Sequence, residues 1–231
     1  MKTLADITRS IIIPTNTPLD SLLGGGIEKG CITQFYGPPG SGKTNISLQI
    51  LYESVKHGKK AIYIDTEGGL SLDRVQQIAG LDFKNIASNI YIEEPRTFEQ
   101  QEAIIIKIEE LLKKEKIELI IIDSIVALYR LEDEDPVQVN RRLSQQMAKL
   151  LTFSRDYDVA VVITNQIYSL FDDGNDNIEP IGGNILKYWS KVIIEIEKIS
   201  DDPIRNAILK RHKNKSNNQQ VSFQISDEGI I

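Results

Sequence analysis

The chain has one cysteine, Cys31, two histidines and one tryptophan among 231 residues. A lone cysteine excludes an intramolecular disulfide, and Cys31, His57 and His212 together are too few for a zinc cluster. Cys31 opens an apolar run and reads as a small buried core residue rather than a reactive thiol. Positive charge is also scarce: 27 Lys and Arg stand against 33 Asp and Glu, for a formal charge of −6 and a pI near 5.1. That balance excludes a generally basic nucleic-acid coat. A local basic patch stays open, because attraction depends on where the charge sits. The N-terminus carries Asp6 and has no signal-type apolar core, and no apolar run reaches membrane-spanning length before a charge interrupts it. A soluble, cytoplasmic protein with no membrane role is expected. Internal repeats and low-complexity linkers are missing too, while a hydrophobic fraction of 41% is enough for a sizeable core.

The apolar residues have a pattern. Cys31–Tyr36, Ala61–Ile64, Ile117–Ile122 and Val159–Thr164 are short β-branched runs, nearly continuous in apolar residues as strands of a parallel sheet are. Helical patterns alternate with them at about 45–57, 71–79, 97–115 and 137–157; in the third, Ile104, Ile105, Ile108, Leu111 and Leu112 form one apolar face. This alternation predicts right-handed βαβ units and an α/β fold with a mostly parallel central sheet. After Gly183 the pattern changes: Trp189–Ile196, Arg205–Lys210 and Val221–Ile225 read as successive strands, added antiparallel at the end of the sheet. Two polar segments, 131–136 and 169–184, follow strand ends on the side where open α/β sheets bind ligands.

Between the first strand and the first helix stands Gly37-Pro38-Pro39-Gly40-Ser41-Gly42-Lys43-Thr44, which fits G-x-x-x-x-G-K-[ST] in the context that pattern requires. Glycines let the backbone curl so that its N–H groups point at phosphate oxygens, and the helix N-terminus adds partial positive charge. Lys43 then reaches the β- and γ-phosphates, and the Thr44 hydroxyl ligates Mg²⁺. A nucleoside triphosphate, ATP with Mg²⁺, is the ligand this loop predicts.

Other strands end in groups that suit the same ligand. Leu119–Ile122 is an apolar strand ending in Asp123, an acid able to hold Mg²⁺ through its water shell. Glu67, in Asp65-Thr66-Glu67-Gly68, is the candidate to orient or deprotonate an attacking water; the alternative is a solvated turn carboxylate. Gln166, after Val161–Asn165, is placed to contact a γ-phosphate, with a polar residue merely leaving the sheet as the other reading.

Together these residues resemble the RecA-like recombinase superfamily. The likeness includes Pro18–Ile27 ahead of the phosphate loop, the Asp-Thr-Glu-Gly element, Ile163-Thr164-Asn165-Gln166, and Pro180-Ile181-Gly182-Gly183. Within the superfamily the chain resembles the archaeal paralogues of RadA. The resemblance implies a RecA-like P-loop NTPase core, with Glu67 as catalytic carboxylate, Gln166 as nucleotide switch and Arg74 packed on the adenine face. A stacked guanidinium is physically reasonable there; an ordinary exposed helix arginine is the alternative.

Departures from the recombinase pattern are informative as well. The chain starts about thirty residues before its first core strand, so one ATPase core over residues 1–231, without RadA's N-terminal helix-hairpin-helix domain, is expected. The phenylalanine linker motif that joins recombinase subunits is missing, because the first phenylalanine is Phe35. The segment matching the second DNA-binding loop, Ile167–Glu179, has four acids and no Lys or Arg, although Tyr168 and Phe171 could stack on bases. The first loop, Glu132–Asp135, is acidic too, with Arg141 and Arg142 after it. Basic charge gathers instead in a hairpin at Lys210, Arg211, His212, Lys213 and Lys215, resembling the basic cluster of those paralogues. It would engage DNA phosphates without reading sequence, unless it is only a solvated turn.

Two functions are consistent with these residues. One is an accessory factor of DNA repair and homologous recombination, nucleoid-associated, which binds ATP and DNA, hydrolyses ATP weakly and performs no strand exchange. RadA and a branched-DNA nuclease are the protein partners implied. The other is a KaiC-like ATP-dependent signalling or scaffold protein without a nucleic-acid role.

Overall fold

The computed structural model describes Thr3 and residues 11–168, 179–199 and 203–231. In chain order its strands and helices are β1 (Ile12–Ile13), α1 (Asp20–Leu23), β2 (Ile27–Glu28), β3 (Ile32–Gly37), α2 (Lys43–Val55), β4 (Lys60–Asp65), α3 (Leu72–Ala79), α4 (Phe83–Ile86) and β5 (Ile90–Glu93). They continue with α5 (Phe98–Lys114), β6 (Ile117–Asp123), α6 (Pro136–Asp156), β7 (Ala160–Tyr168), β8 (Glu179–Pro180), α7 (Gly183–Trp189), β9 (Val192–Lys198), β10 (Ile204–Arg211), β11 (Gln220–Ser226) and β12 (Gly229–Ile230).

Strand alternation builds the core on both faces of the main sheet. Ala61, Tyr63, Leu119, Ile121, Ala160 and Val162 face α2, packing with Ile46, Ile50 and Leu51. Their neighbours Ile62, Ile64, Ile120, Ile122, Val161 and Ile163 face α5 and α6, against Phe98, Ile105, Leu143 and Met147. A strand buried on both faces needs apolar residues at consecutive positions, which explains the unbroken runs in the sequence. The sheet order is β12-β11-β10-β9-β3-β7-β6-β4-β5. Strands β9, β3, β7, β6, β4 and β5 are parallel, while β10, β11 and β12 join antiparallel at the end. The α/β class, the mostly parallel sheet and the antiparallel additions are as the sequence predicts.

The helices start on local signals. Thr97 accepts from Gln100 N–H at 3.1 Å to cap α5, and Ser71 accepts from Arg74 N–H at 3.3 Å to cap α3. Asp135 caps α6 by accepting from Val137 N–H at 3.2 Å, with Pro136 in the first turn. The acidic stretch before α6 therefore has a local structural use. Arg142, one helical face on, pairs with Glu132 at 2.8 Å, Glu134 at 3.3 Å and Glu102 at 3.2 Å, and lies over the Phe98 ring.

One element differs from the sequence expectation. Trp189 ends helix α7 and does not start a strand; the strand begins at Val192. Ile185, Leu186 and Trp189 recur at helical spacing and pack against α6 and the sheet, with Trp189 Nε1 donating to Ser144 Oγ at 3.1 Å. The apolar run that follows masks this one-face pattern in the sequence. The edge strand β5 is only four residues long and has no period that marks it.

Candidate functional site

The loop Gly37–Thr44 leaves the C-terminal end of β3, in the middle of the sheet. A Cβ on Gly37 would stand 2.2 Å from the Ile196 carbonyl oxygen on β9, so only glycine permits this approach. Gly42 caps α2 with φ 98°, in the left-handed region, and a Cβ there would meet Ile225 Cδ1 at 2.5 Å. The chain thus curls back on itself over one helix N-terminus. Lys43 folds inside the curl, and its Nζ donates to the carbonyls of Gly37 and Pro38, both at 2.9 Å. Burial pulls the Lys43 ammonium below the ordinary lysine value, against the opposing attraction of Glu67 and Asp123.

Two neighbouring strands bring acids to the same edge. Asp123, at the end of β6, is buried and accepts from Tyr63 Oη at 2.8 Å and from the Thr164 hydroxyl. Burial and the Asp123 charge push the Tyr63 hydroxyl well above its ordinary value, so it remains a donor. Asp65, at the end of β4, organises the segment that follows. Its Oδ1 accepts from the N–H groups of Glu67 (3.1 Å), Gly68 (2.8 Å) and Gly69 (3.1 Å), and its Oδ2 from Leu70 N–H at 2.8 Å. Thr66 Oγ1 bonds to the backbone of Ser124 and closes β4 against β6.

With its backbone held, Glu67 reaches β7. Gln166 Nε2 donates to Glu67 Oε1 at 2.7 Å, and Gln166 Oε1 accepts from Arg130 Nη1 at 2.8 Å. The segment after β8 supports this glutamine: Ile181 N–H donates to Gln166 O at 2.9 Å and Asn165 Nδ2 to Ile181 O at 2.8 Å. Pro39, Gly40, Gly42, Lys43, Thr44, Asn45, Glu67, Asp123 and Gln166 line one cleft of about 450 Å³ with Pro203, Arg205 and Ile225.

A lysine, two acids and an amide on successive parallel strand ends around a curled loop call for comparison with known proteins. The family profile described as Rad51 matches residues 8–231. The chain belongs to the Rad51 family. It is 66% identical over the full length of both chains to the DNA repair and recombination protein RadB of Methanosphaera stadtmanae. The proteins of that name from Methanobrevibacter smithii and Methanothermobacter thermautotrophicus are 48% and 44% identical, again over 100% of both chains. The solved "Crystal structure of the RadB recombinase" superposes with a TM-score of 0.79 at 34% identity, covering 95% of this chain and 98% of that one. The chain is an archaeal RadB-type member of the RecA/Rad51 superfamily, as the motifs predict.

The donor set fits a hard, hydrated cation. Thr44 and Asp123 offer a hydroxyl and a carboxylate to one cleft, and a carboxylate that already accepts two hydroxyls keeps further lone pairs. Among the described residues no group of three or more His, Cys, Asp or Glu forms a cage. Such a site suits Mg²⁺, which shares its shell with water and phosphate oxygens. The Ser41 hydroxyl in the loop is buried without a partner, which suits a ligand with acceptor oxygens.

Other predicted residues have more partners than their sequence context suggests. Arg74 Nε donates to Asn45 Oδ1 at 2.7 Å, and its Nη atoms donate to Ser226 O at 2.8 Å and to Asp227 O and Gln77 Oε1 at 3.0 Å. It therefore ties α2 and α3 to the turn between β11 and β12, which leaves only the flat faces of the guanidinium for stacking. Of the basic cluster, Lys210 and Arg211 end β10, and His212, Lys213 and Lys215 follow in the turn toward β11; these residues are tied down as well. Lys210 pairs with Glu195 at 3.0 Å and Lys213 with Glu28. Arg211 donates to the Lys187 and Ser190 carbonyls, and Lys215 to that of Ser21. His212 packs near Gly24. The segment matching the second DNA-binding loop, including Phe171, lies outside the described residues apart from its ends.

Asp65, Arg130 and Arg205 are the site residues that sequence reading missed. Asp65 carried a signal, since an acid followed by a glycine-containing turn is a common acceptor of turn N–H groups. Arg205 meets the cleft, and Arg130 meets Gln166 at its border, only through strand order.

Proposed function

We propose that the cleft binds Mg²⁺–ATP and hydrolyses it slowly, and that the protein is an accessory factor of DNA repair and recombination. The convergence of Lys43, Thr44, Asp123, Glu67 and Gln166 on one cleft carries the nucleotide reading. Lys43 is already inside the loop and would exchange its two backbone carbonyls for phosphate oxygens, a stronger charge-assisted pairing. Thr44 and Asp123 would hold the metal, which when bound supplies charge neutralisation on the phosphates. Glu67 would receive the proton of an attacking water, with Gln166 fixing the carboxylate from the side.

The names of the relatives support a role in DNA repair and recombination. On this reading residues 1–231 act as one ATPase core, DNA binds without sequence readout, and the protein modulates RadA or a branched-DNA nuclease rather than exchanging strands. DNA contact would come from the β10–β11 hairpin. Lys210 and Lys213 are partly exposed and their present partners are two carboxylates, so phosphates would compete for them. Family membership favours this reading over a signalling scaffold.

The test uses two variants and two ligands. Lys43→Ala is expected to lose ATPγS binding and ATP hydrolysis while retaining salt-sensitive binding of single-stranded DNA. A joint Lys210→Ala, Arg211→Ala and Lys213→Ala change is expected to do the reverse. Unchanged DNA affinity in the triple variant would remove the hairpin from the proposal, and unchanged ATPγS affinity in Lys43→Ala would remove the cleft.

A further inference from the structure

Strand β10 lies two places from β3 in the sheet, yet one of its side chains reaches the phosphate loop. Arg205 is nearly buried at 9% exposure and lines the same cleft as Lys43 and Thr44. Its Nη2 donates to the Gly40 carbonyl at 3.3 Å, across 165 positions of chain, and its Nη1 to the Ile204 carbonyl at 2.9 Å. Gly40 has φ +73°, and a Cβ on it would meet nothing within 4 Å, so the loop opens toward the cleft at this point.

We propose that Arg205 is a polyphosphate-binding residue of this cleft, a second cation beside Lys43 supplied by β10 of the same chain. The inference rests on the reading of the cleft as a nucleotide site. A triphosphate brings several negative charges to a cleft whose charged side chains, among the described residues, are two cations, Lys43 and Arg205, and two acids, Glu67 and Asp123. With one acid committed to the metal, Lys43 alone leaves much of that charge to the helix N-terminus. A guanidinium presents a planar fork that matches two phosphate oxygens, and a phosphate is a far stronger acceptor than the neutral Gly40 carbonyl at 3.3 Å. Burial strengthens the pairing, since the surrounding dielectric is low. Pro203 and Ile225 flank the arginine on the cleft wall, so Arg205 also links phosphate binding to the β10–β11 ribbon, whose far end carries Lys210 and Arg211.

Titration calorimetry with Mg²⁺–ATPγS and with adenosine, on the full chain, tests the assignment. Arg205→Met keeps the apolar stem and is expected to weaken ATPγS about tenfold or more while leaving adenosine within about twofold. Arg205→Lys keeps the charge without the fork and is expected to recover part of the loss. A residue that merely pins β10 to the loop would lower both affinities by the same factor, and that result overturns the proposal, as does ATPγS affinity within about twofold of wild type. Should Arg205→Met fail to fold, Arg205→Lys decides alone: about threefold weaker ATPγS at constant adenosine affinity supports the proposal, and equal changes overturn it. Absence of ATPγS binding by the wild-type chain would instead overturn the nucleotide reading itself.

Discussion

Glu67 and Gln166 stand 99 positions apart in the chain, and their side chains meet in a 2.7 Å hydrogen bond between the turn after β4 and the C-terminal part of β7. Gln166 passes the contact on, because its carbonyl oxygen accepts from Arg130 at 2.8 Å. An amide has one donor group and one acceptor atom, so Arg130 sets which end of Gln166 faces the acid. This chain connects the segment after β6 to the cleft without any direct contact between Arg130 and Glu67.

The relay has a kinetic consequence. Arg130→Ala is expected to leave ATPγS affinity within about twofold and to slow hydrolysis several-fold, since Gln166 loses its orientation. Gln166→Ala should slow it at least as much, and the double change should cost less than the product of the two. Single-turnover hydrolysis measures all three, and multiplicative losses would mean that the two residues act separately.

Asp65 binds no ligand on this reading, yet it holds four backbone N–H groups in place. Hydrogen bonds to a charged acceptor contribute about 1.5–3 kcal/mol each and are not additive, so Asp65→Ala is expected to lower unfolding free energy by about 2–4 kcal/mol. Asp65→Asn, which keeps a neutral oxygen, should fall between the two. Urea unfolding monitors the cost, and a loss below about 0.5 kcal/mol would show that the turn holds its shape without the carboxylate.

The hairpin cations give a prediction in the opposite direction from loss. Glu28 is paired with Lys213 and would compete with a DNA phosphate for it. Glu28→Gln removes one negative charge beside the hairpin and is expected to tighten single-stranded DNA binding about two- to fivefold at low salt, with the gain fading as salt rises. Weaker binding, seen by fluorescence anisotropy, would mean that the ion pair holds the hairpin in its binding shape.

His212 is expected to make hairpin docking sensitive to pH. Its Nδ1 accepts from Asn214 N–H at 3.0 Å, and burial lowers its affinity for protons below the ordinary value of 6.5, with Lys215 and Lys213 adding repulsion while a backbone bond at Leu23 and the charge of Glu28 oppose it. The folded state therefore binds a proton less readily than the unfolded chain. The stability from neutral His212 is complete above the unfolded value of 6.5 and is lost as pH falls through the lower folded value. Thermal unfolding over roughly pH 5 to 8 should show the wild type losing more stability on acidification than His212→Asn. Parallel curves would remove His212 from the account.

Much of the site can be read from contiguous residues. The phosphate loop needs glycines, a lysine and a threonine in one stretch between strand and helix, and each of those features is local. Asp123, Glu67 and Gln166 are legible as cleft-lining candidates because an apolar strand followed by a polar group aims that group at the sheet edge. The fold class followed from the same periodicity. The antiparallel end of the sheet was legible in outline, but α7 was hidden because its seven residues run directly into the apolar β9.

What the sequence by itself determined is the doubly buried strands, the long helices between them and the polar group that follows each strand, because burial on two faces and loop curvature leave their mark within a few residues. Tertiary structure alone decided the partners. Arg205 reaches Gly40, Arg130 steers Gln166, Arg74 grips the β11–β12 turn, and the hairpin lysines lie on Glu28, Glu195 and Ser21. These contacts join residues from distant parts of the chain through strand order and register. Side-chain spacing in sequence does not encode such distances.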